Sequence, residues 1–126
     1  MALTNAARDL IAQALVGEAF TSFSNANARL GVGDSSTAFA VAQTDLQAST
    51  NKLRKAMEAA YPSRVGNALM FRSIFGTSEA NFAWNEWGVF NAASGGTMLN
   101  RVVASLGTKT SAQSWQFTVT VTVVAA

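Results

Sequence analysis

The stretch "WQFTVTVTV", Trp115 to Val123, alternates without a break. Successive side chains of a strand point to opposite faces. Trp115, Phe117, Val119, Val121 and Val123 therefore share one face, and Gln116, Thr118, Thr120 and Thr122 the other. A helical period would scatter both sets around the axis. The pattern predicts a half-buried antiparallel strand over 113–124, its apolar face headed by Trp115 as a structural position and its outer face rich in threonine. A bare strand of this composition is a template for another chain, which makes Thr118, Thr120 and Thr122 interface candidates.

The β pattern extends upstream. Strands are predicted at 68–76, 82–91 and 97–106, with "AASGG" and "GTKTSA" as the turns between later ones. The segment "NFAWNEWGVFNAASGG", Asn81 to Gly96, is the densest in aromatics. Strict alternation puts Phe82, Trp84 and Glu86 on one face and Trp87 and Val89 on the other. Both faces are loaded, which predicts a strand covered on both sides or one with a bulge near Glu86. Glu86 is expected to accept backbone or side-chain hydrogen bonds there and to fix the register.

Nearer the N-terminus, Ala28, Leu30 and Val32 alternate with Arg29, Gly31 and Gly33, a short strand followed by turn formers at Asp34–Thr37. Residues 38–50 stay open: "AFAVAQ" fits a strand or one helical turn, and "TDLQAST" a loop. In "KLRKAMEAAY", Leu53, Met57 and Tyr61 fit both periods, and propensity favours helix. A hairpin of two strands across "PSRVGN", from this segment to "ALMFRSIFG", is the preferred arrangement. Residues 4–16 predict a helix capped by Thr4 or Asn5 and stopped at Gly17, with Ala7, Leu10, Ile11, Ala14 and Leu15 as its buried face. The expected fold is a mainly β single domain over 1–126, an antiparallel β-sandwich of about six strands (β-rich over 28–124) with one N-terminal α-helix.

The 126 residues suffice for one conventional core. Charged residues are 13% of the chain, about half the usual quarter, while hydrophobic residues are 49%. Such a low-charge surface suits a protein that sits against others. No apolar run approaches the ~20 residues of a membrane span, and "MALTNAARDLIAQALVG" lacks the features of a signal peptide. Neither a membrane nor nucleic acid is an expected partner, the net charge being only +2. The chain has no cysteine and no histidine. That removes disulfides, thiolate sites and every Ser-His-Asp or Cys-His arrangement. No catalytic residue, cofactor or metal is expected.

Four groups invite a site and have duller explanations. "GVGDSST" lacks the third glycine of a dinucleotide fingerprint and the Gly-Lys-Ser/Thr of a P-loop, and reads as a strand end and turn. Glu79 and Glu86 are not shown to face each other across a cleft, as a glycosidase requires. Lys52, Arg54 and Lys55, with Arg64 and Arg72 nearby, read as a solvated face or as a dock for an acidic protein surface; on a strand, Lys52, Arg54, Ala56 and Glu58 face one way. Trp84 and Trp87 would serve a sugar platform only if both rings shared an exposed face, so Trp87 is carried instead as an interface candidate.

The order "LTNAARDLIAQAL", "ARLGVGDSSTAF", "TDLQAS", "FRSIFGTSEANFAWNEWGVFNA", "TMLNRVVASLGTKTSAQSWQFTVTVTV" resembles small tailed-bacteriophage virion proteins. It is similar to the N-terminal domain of phage tail-collar fibre proteins, which open with an "LTN-x-G/A-R" helix and carry an "E-x-G-hydrophobic-F" strand. The resemblance implies a compact module docking on a virion, with Glu86, Gly88 and Phe90 as structural positions. Fibre proteins continue into shafts or tips; the sequence has no collagen-like repeat and no heptads, so receptor binding is not carried over.

The leading expectation is a non-enzymatic virion protein, a head decoration or cement protein forming homo-oligomers against the major capsid protein. The second is a tail collar or fibre-adaptor subunit contacting tail proteins. The third, of another class, is a carbohydrate-binding module using Trp84 or Trp87.

Overall fold

The computed structural model describes residues 2–124; Met1, Ala125 and Ala126 of the expected 1–126 domain lie outside the described residues. The helix α1 spans Asn5–Leu15 and is followed by β1 (Arg29–Gly33), β2 (Lys52–Ala56), β3 (Ser63–Val65), β4 (Ala68–Phe75), β5 (Glu86–Phe90), β6 (Met98–Val103) and β7 (Trp115–Thr122). Two antiparallel sheets form, in the orders β2-β1-β5-β6 and β3-β4-β7. The chain is mainly β with one N-terminal helix, consistent with a β-sandwich.

The expected β7 alternation holds along its length: Val119 and Val121 are buried while Gln116, Thr118, Thr120 and Thr122 are exposed. Its partner β4 runs beside it in unbroken register from Ala68↔Thr122 to Phe75↔Trp115. Between the sheets, Leu30, Phe71, Val89, Leu99, Val119 and Val121 pack with Ala7 of the helix. A second cluster joins Val32, Phe75, Ala80 and Trp84.

Three expectations need correction. The hairpin does not join 52–61 to 68–76: β2 pairs with β1 in the other sheet, and the hairpin partner of β4 is the three-residue β3. The ambiguous period of Leu53, Met57 and Tyr61 carried no information about which sheet they join. The helix starts at its predicted cap, with the Thr4 hydroxyl accepting from the Ala7 amide. Its apolar stripe, however, is barely covered: Ala7 is buried, but Leu15 is 82% exposed. The bulge sits between Val89 and Phe90, where β6 steps from Asn100 to Met98, and not near Glu86. There the Asn100 side-chain oxygen accepts from the Val89 amide at 3.2 Å.

Residues 34–51, which include the turn formers Asp34–Thr37 and the open segment 38–50, form an irregular strap containing neither strand nor helix. The strap supplies Leu46 to a small outer cluster with Phe90 and Met98. The four-stranded sheet is thus covered on both faces, and the three-stranded sheet on its inner face alone. Strap and bulge both demand close backbone approach at β5. A Cβ on Gly88 would sit 2.6 Å from the Asn100 carbonyl oxygen, a backbone atom that has little room to retreat. Gly88→Ala is expected to lower stability by about 1–3 kcal/mol through overpacking, read as a shifted urea midpoint. An unchanged midpoint would show that the β5–β6 spacing is looser than described.

Candidate functional site

Glu86 opens β5 and is completely buried, on the face covered by the strap. Its carboxylate collects four donors. Oε1 accepts from the Gln47 amide at 2.7 Å and from Arg101 Nε at 2.7 Å. Oε2 accepts from the Ala48 amide at 2.9 Å and the Ser35 amide at 3.3 Å. The site is possible because Glu86 lies opposite Gly33 in the β1–β5 ladder, where a Cβ would collide with the carboxylate. Arg101, also buried, reaches across from β6 and donates through Nη1 to the Thr37 carbonyl at 2.8 Å and to Gln43 Oε1 at 3.3 Å. Among the described residues its Nη2 finds no acceptor.

Glu86 therefore does what the sequence suggested, accepting backbone and side-chain hydrogen bonds, but it fixes the strap as much as the register. Arg101, its counter-ion, was missed. The signal available was a lone cation inside the apolar run "MLNRVV", which asks for a buried anion. A carboxylate saturated by four structural donors is a fastener. It presents no free oxygen to a substrate.

The basic trio also forms ion pairs within the chain, and its members divide between the two faces of β2. Lys52 and Arg54 turn onto Asp45 of the strap at 3.1 and 3.2 Å. Arg54 also donates to the Ala92 and Gly95 carbonyls and lies 3.6 Å over the Phe90 ring. Lys55 points to the other side and meets Glu79 at 2.7 Å. Burial pushes the Asp45 carboxyl up, but hydrogen bonds from Lys52, the Leu46 amide and Arg54 outweigh it and hold the group below its ordinary range. Glu79 is held low by Lys55 and the Gly76 amide, against some burial, with the charge of Lys109 adding to the effect.

The tryptophans are not a platform. Trp84 is 1% exposed; its ring meets Phe75 and Trp115 edge-on at 4.9 Å and Phe117 at 5.5 Å, and its Nε1 donates to the Ala80 carbonyl. Trp87 is half-buried and packs against Phe117 at 5.9 Å, on the side of the inter-sheet core. The parity argument failed because β5 begins only at Glu86. Residues 82–85 form no strand, and Trp84 turns into the same core as Trp87. Gly88 and Phe90 are buried, and Trp115 meets Trp84 edge-on from β7.

Two open features remain. One is the threonine face of β7. The other is an apolar groove of about 370 Å³ between α1 and the end of β7, lined by Leu10, Ile11, Phe23, Leu69, Leu99 and Val121 among others. Beside it, Val123 and Val124 are exposed. No helix among the described residues is long and apolar enough to cross a membrane. No family model matches the chain, and no curated protein matches it either.

Proposed function

We propose that the chain is a non-enzymatic structural protein of a bacteriophage virion, a head decoration or cement protein that stabilises the capsid through protein–protein contacts. The observation that supports this reading is the division of labour among its side chains. Glu79, Glu86, Asp45, Lys52, Arg54, Lys55 and Arg101 are tied to one another or to backbone groups, whereas β7 carries no charge of its own and the groove between it and α1 is lined almost wholly by apolar side chains. The motif order supplies the virion context. Contacts of this kind, each weak, add as avidity when a symmetric lattice holds many copies.

The test is a stained gel of purified virions. Decoration predicts a band comparable in molar amount to the major capsid protein. A trace band would remove the decoration role and favour a tail collar or fibre-adaptor subunit, and no band would remove the virion role altogether.

A further inference from the structure

The two sheets have four edges, and three are protected by recognisable devices. The β2 edge carries Lys52, Arg54 and Lys55, and charge on an edge strand discourages pairing. The β3 edge is only three residues long and includes Arg64. The β6 edge is occupied by the N-terminal segment, where Leu3 bridges Asn100 and the Thr4 amide donates to the Leu99 carbonyl at 3.2 Å. The β7 edge has none of these. Its eight residues contain no charge and no proline, and its register with β4 is unbroken, so no bulge twists it away.

The ladder also says which groups β7 leaves open. The Val123 amide donates to the Asn67 carbonyl at 2.9 Å, in the same register as the rest of the β4–β7 ladder. In an antiparallel pair, hydrogen-bonded positions alternate. Odd-numbered residues of β7 therefore turn their backbone groups to β4. The N–H and C=O groups of Gln116, Thr118, Thr120 and Thr122 point to the free edge, where no backbone partner stands among the described residues.

We infer that β7 pairs antiparallel with the β7 of a second copy of this chain, across a two-fold axis. The second copy is the occupant because β7 can pair with itself in register, while the devices just described close the other three edges, which also disfavours head-to-tail growth. The strand is self-complementary: a register centred on Val119 sets Gln116 opposite Thr122 and Thr118 opposite Thr120, about eight new backbone hydrogen bonds. Threonines then meet threonines on the outer face, valines and aromatics continue the inner face, and no like charges are opposed. The product is a six-stranded sheet, β3-β4-β7-β7-β4-β3, that ends on both sides in the short β3 and is closed as a dimer. The inference deepens the assembly reading above and rests on it only in that the chain works beside its own copies.

Sedimentation velocity of the purified chain over about 1–100 μM tests it. The wild type is expected to dimerise, and Thr120→Pro to weaken the dimer at least about tenfold. That substitution removes an outward N–H and no bond to β4, which an edge strand tolerates. Should circular dichroism show Thr120→Pro misfolded, Thr118→Lys/Thr120→Lys replaces it, setting ammonium groups opposite each other across the axis at exposed positions. A wild type that stays monomeric throughout the range overturns the pairing, as does a folded variant that dimerises as tightly as the wild type. A dimer without a virion band would keep the pairing and remove the virion role; an abundant band with a monomeric chain would do the reverse.

Discussion

Glu86→Gln is expected to cost about 3–5 kcal/mol of folding stability, the usual result of removing one partner from a buried ion pair. The substitution barely changes shape, so its effect isolates the chemistry. Arg101 loses its counter-ion while remaining buried, and an amide NH₂ replaces one of the two oxygens that now accept from Gln47, Ala48, Ser35 and Arg101. At least one donor is left facing another donor, and a buried unsatisfied donor costs about 1–3 kcal/mol by itself. The loss should be local in its first signs. Amide exchange at Gln47 and Ala48 should accelerate more than exchange in β4 or β7, because the strap has no ladder of its own. Removing both charges with Glu86→Leu/Arg101→Met should not restore stability, since the strap amides would still lack acceptors. Urea unfolding measures all three proteins. A loss under about 1 kcal/mol with unchanged exchange at Gln47 and Ala48 would mean that the strap is held by something else.

Trp84→Ala is expected to cost about 3–5 kcal/mol, as for other buried aromatic residues cut back to alanine. Trp84 is the largest of the fully buried side chains. It touches β4 through Phe75 and β7 through Trp115 and Phe117, so the cavity would open where the two sheets are joined. Those neighbours belong to a well-paired sheet and have little freedom to collapse into the space. Thermal melting and near-ultraviolet dichroism read the result. The sugar-platform reading makes the opposite forecast, an intact fold with glycan binding abolished. A Trp84→Ala protein as stable as the wild type would contradict the packing described.

What the sequence disclosed follows from where each interaction lies. β7 was legible because one face is buried and the other is not, and a two-residue period records that asymmetry directly. β5 was only partly legible. It is covered on both faces, so no alternation marks its start, and Trp84 was assigned to a strand that begins two residues later. The helix was legible from its cap and spacing, but spacing does not say how much of a stripe is covered, and Ile11 and Leu15 remain exposed. The strap was illegible for a physical reason: it is pinned at Ser35, Thr37, Gln47 and Ala48 by the side chains of Glu86 and Arg101, far along the chain, and leaves no local period. Glu86 stood out as a lone acid in an aromatic strand. Its partner Arg101 would have been found by asking the same question of the next strand.

The most direct test of the central claim, that the chain acts through an open β7 edge, is amide exchange along β7 in the dilute chain and in its assembled form. The dilute chain should show rapid exchange at Thr118, Thr120 and Thr122 and slow exchange at Val119 and Val121. Assembly should then slow exchange at the three threonines selectively. Equal exchange at those threonines in both states would contradict the account.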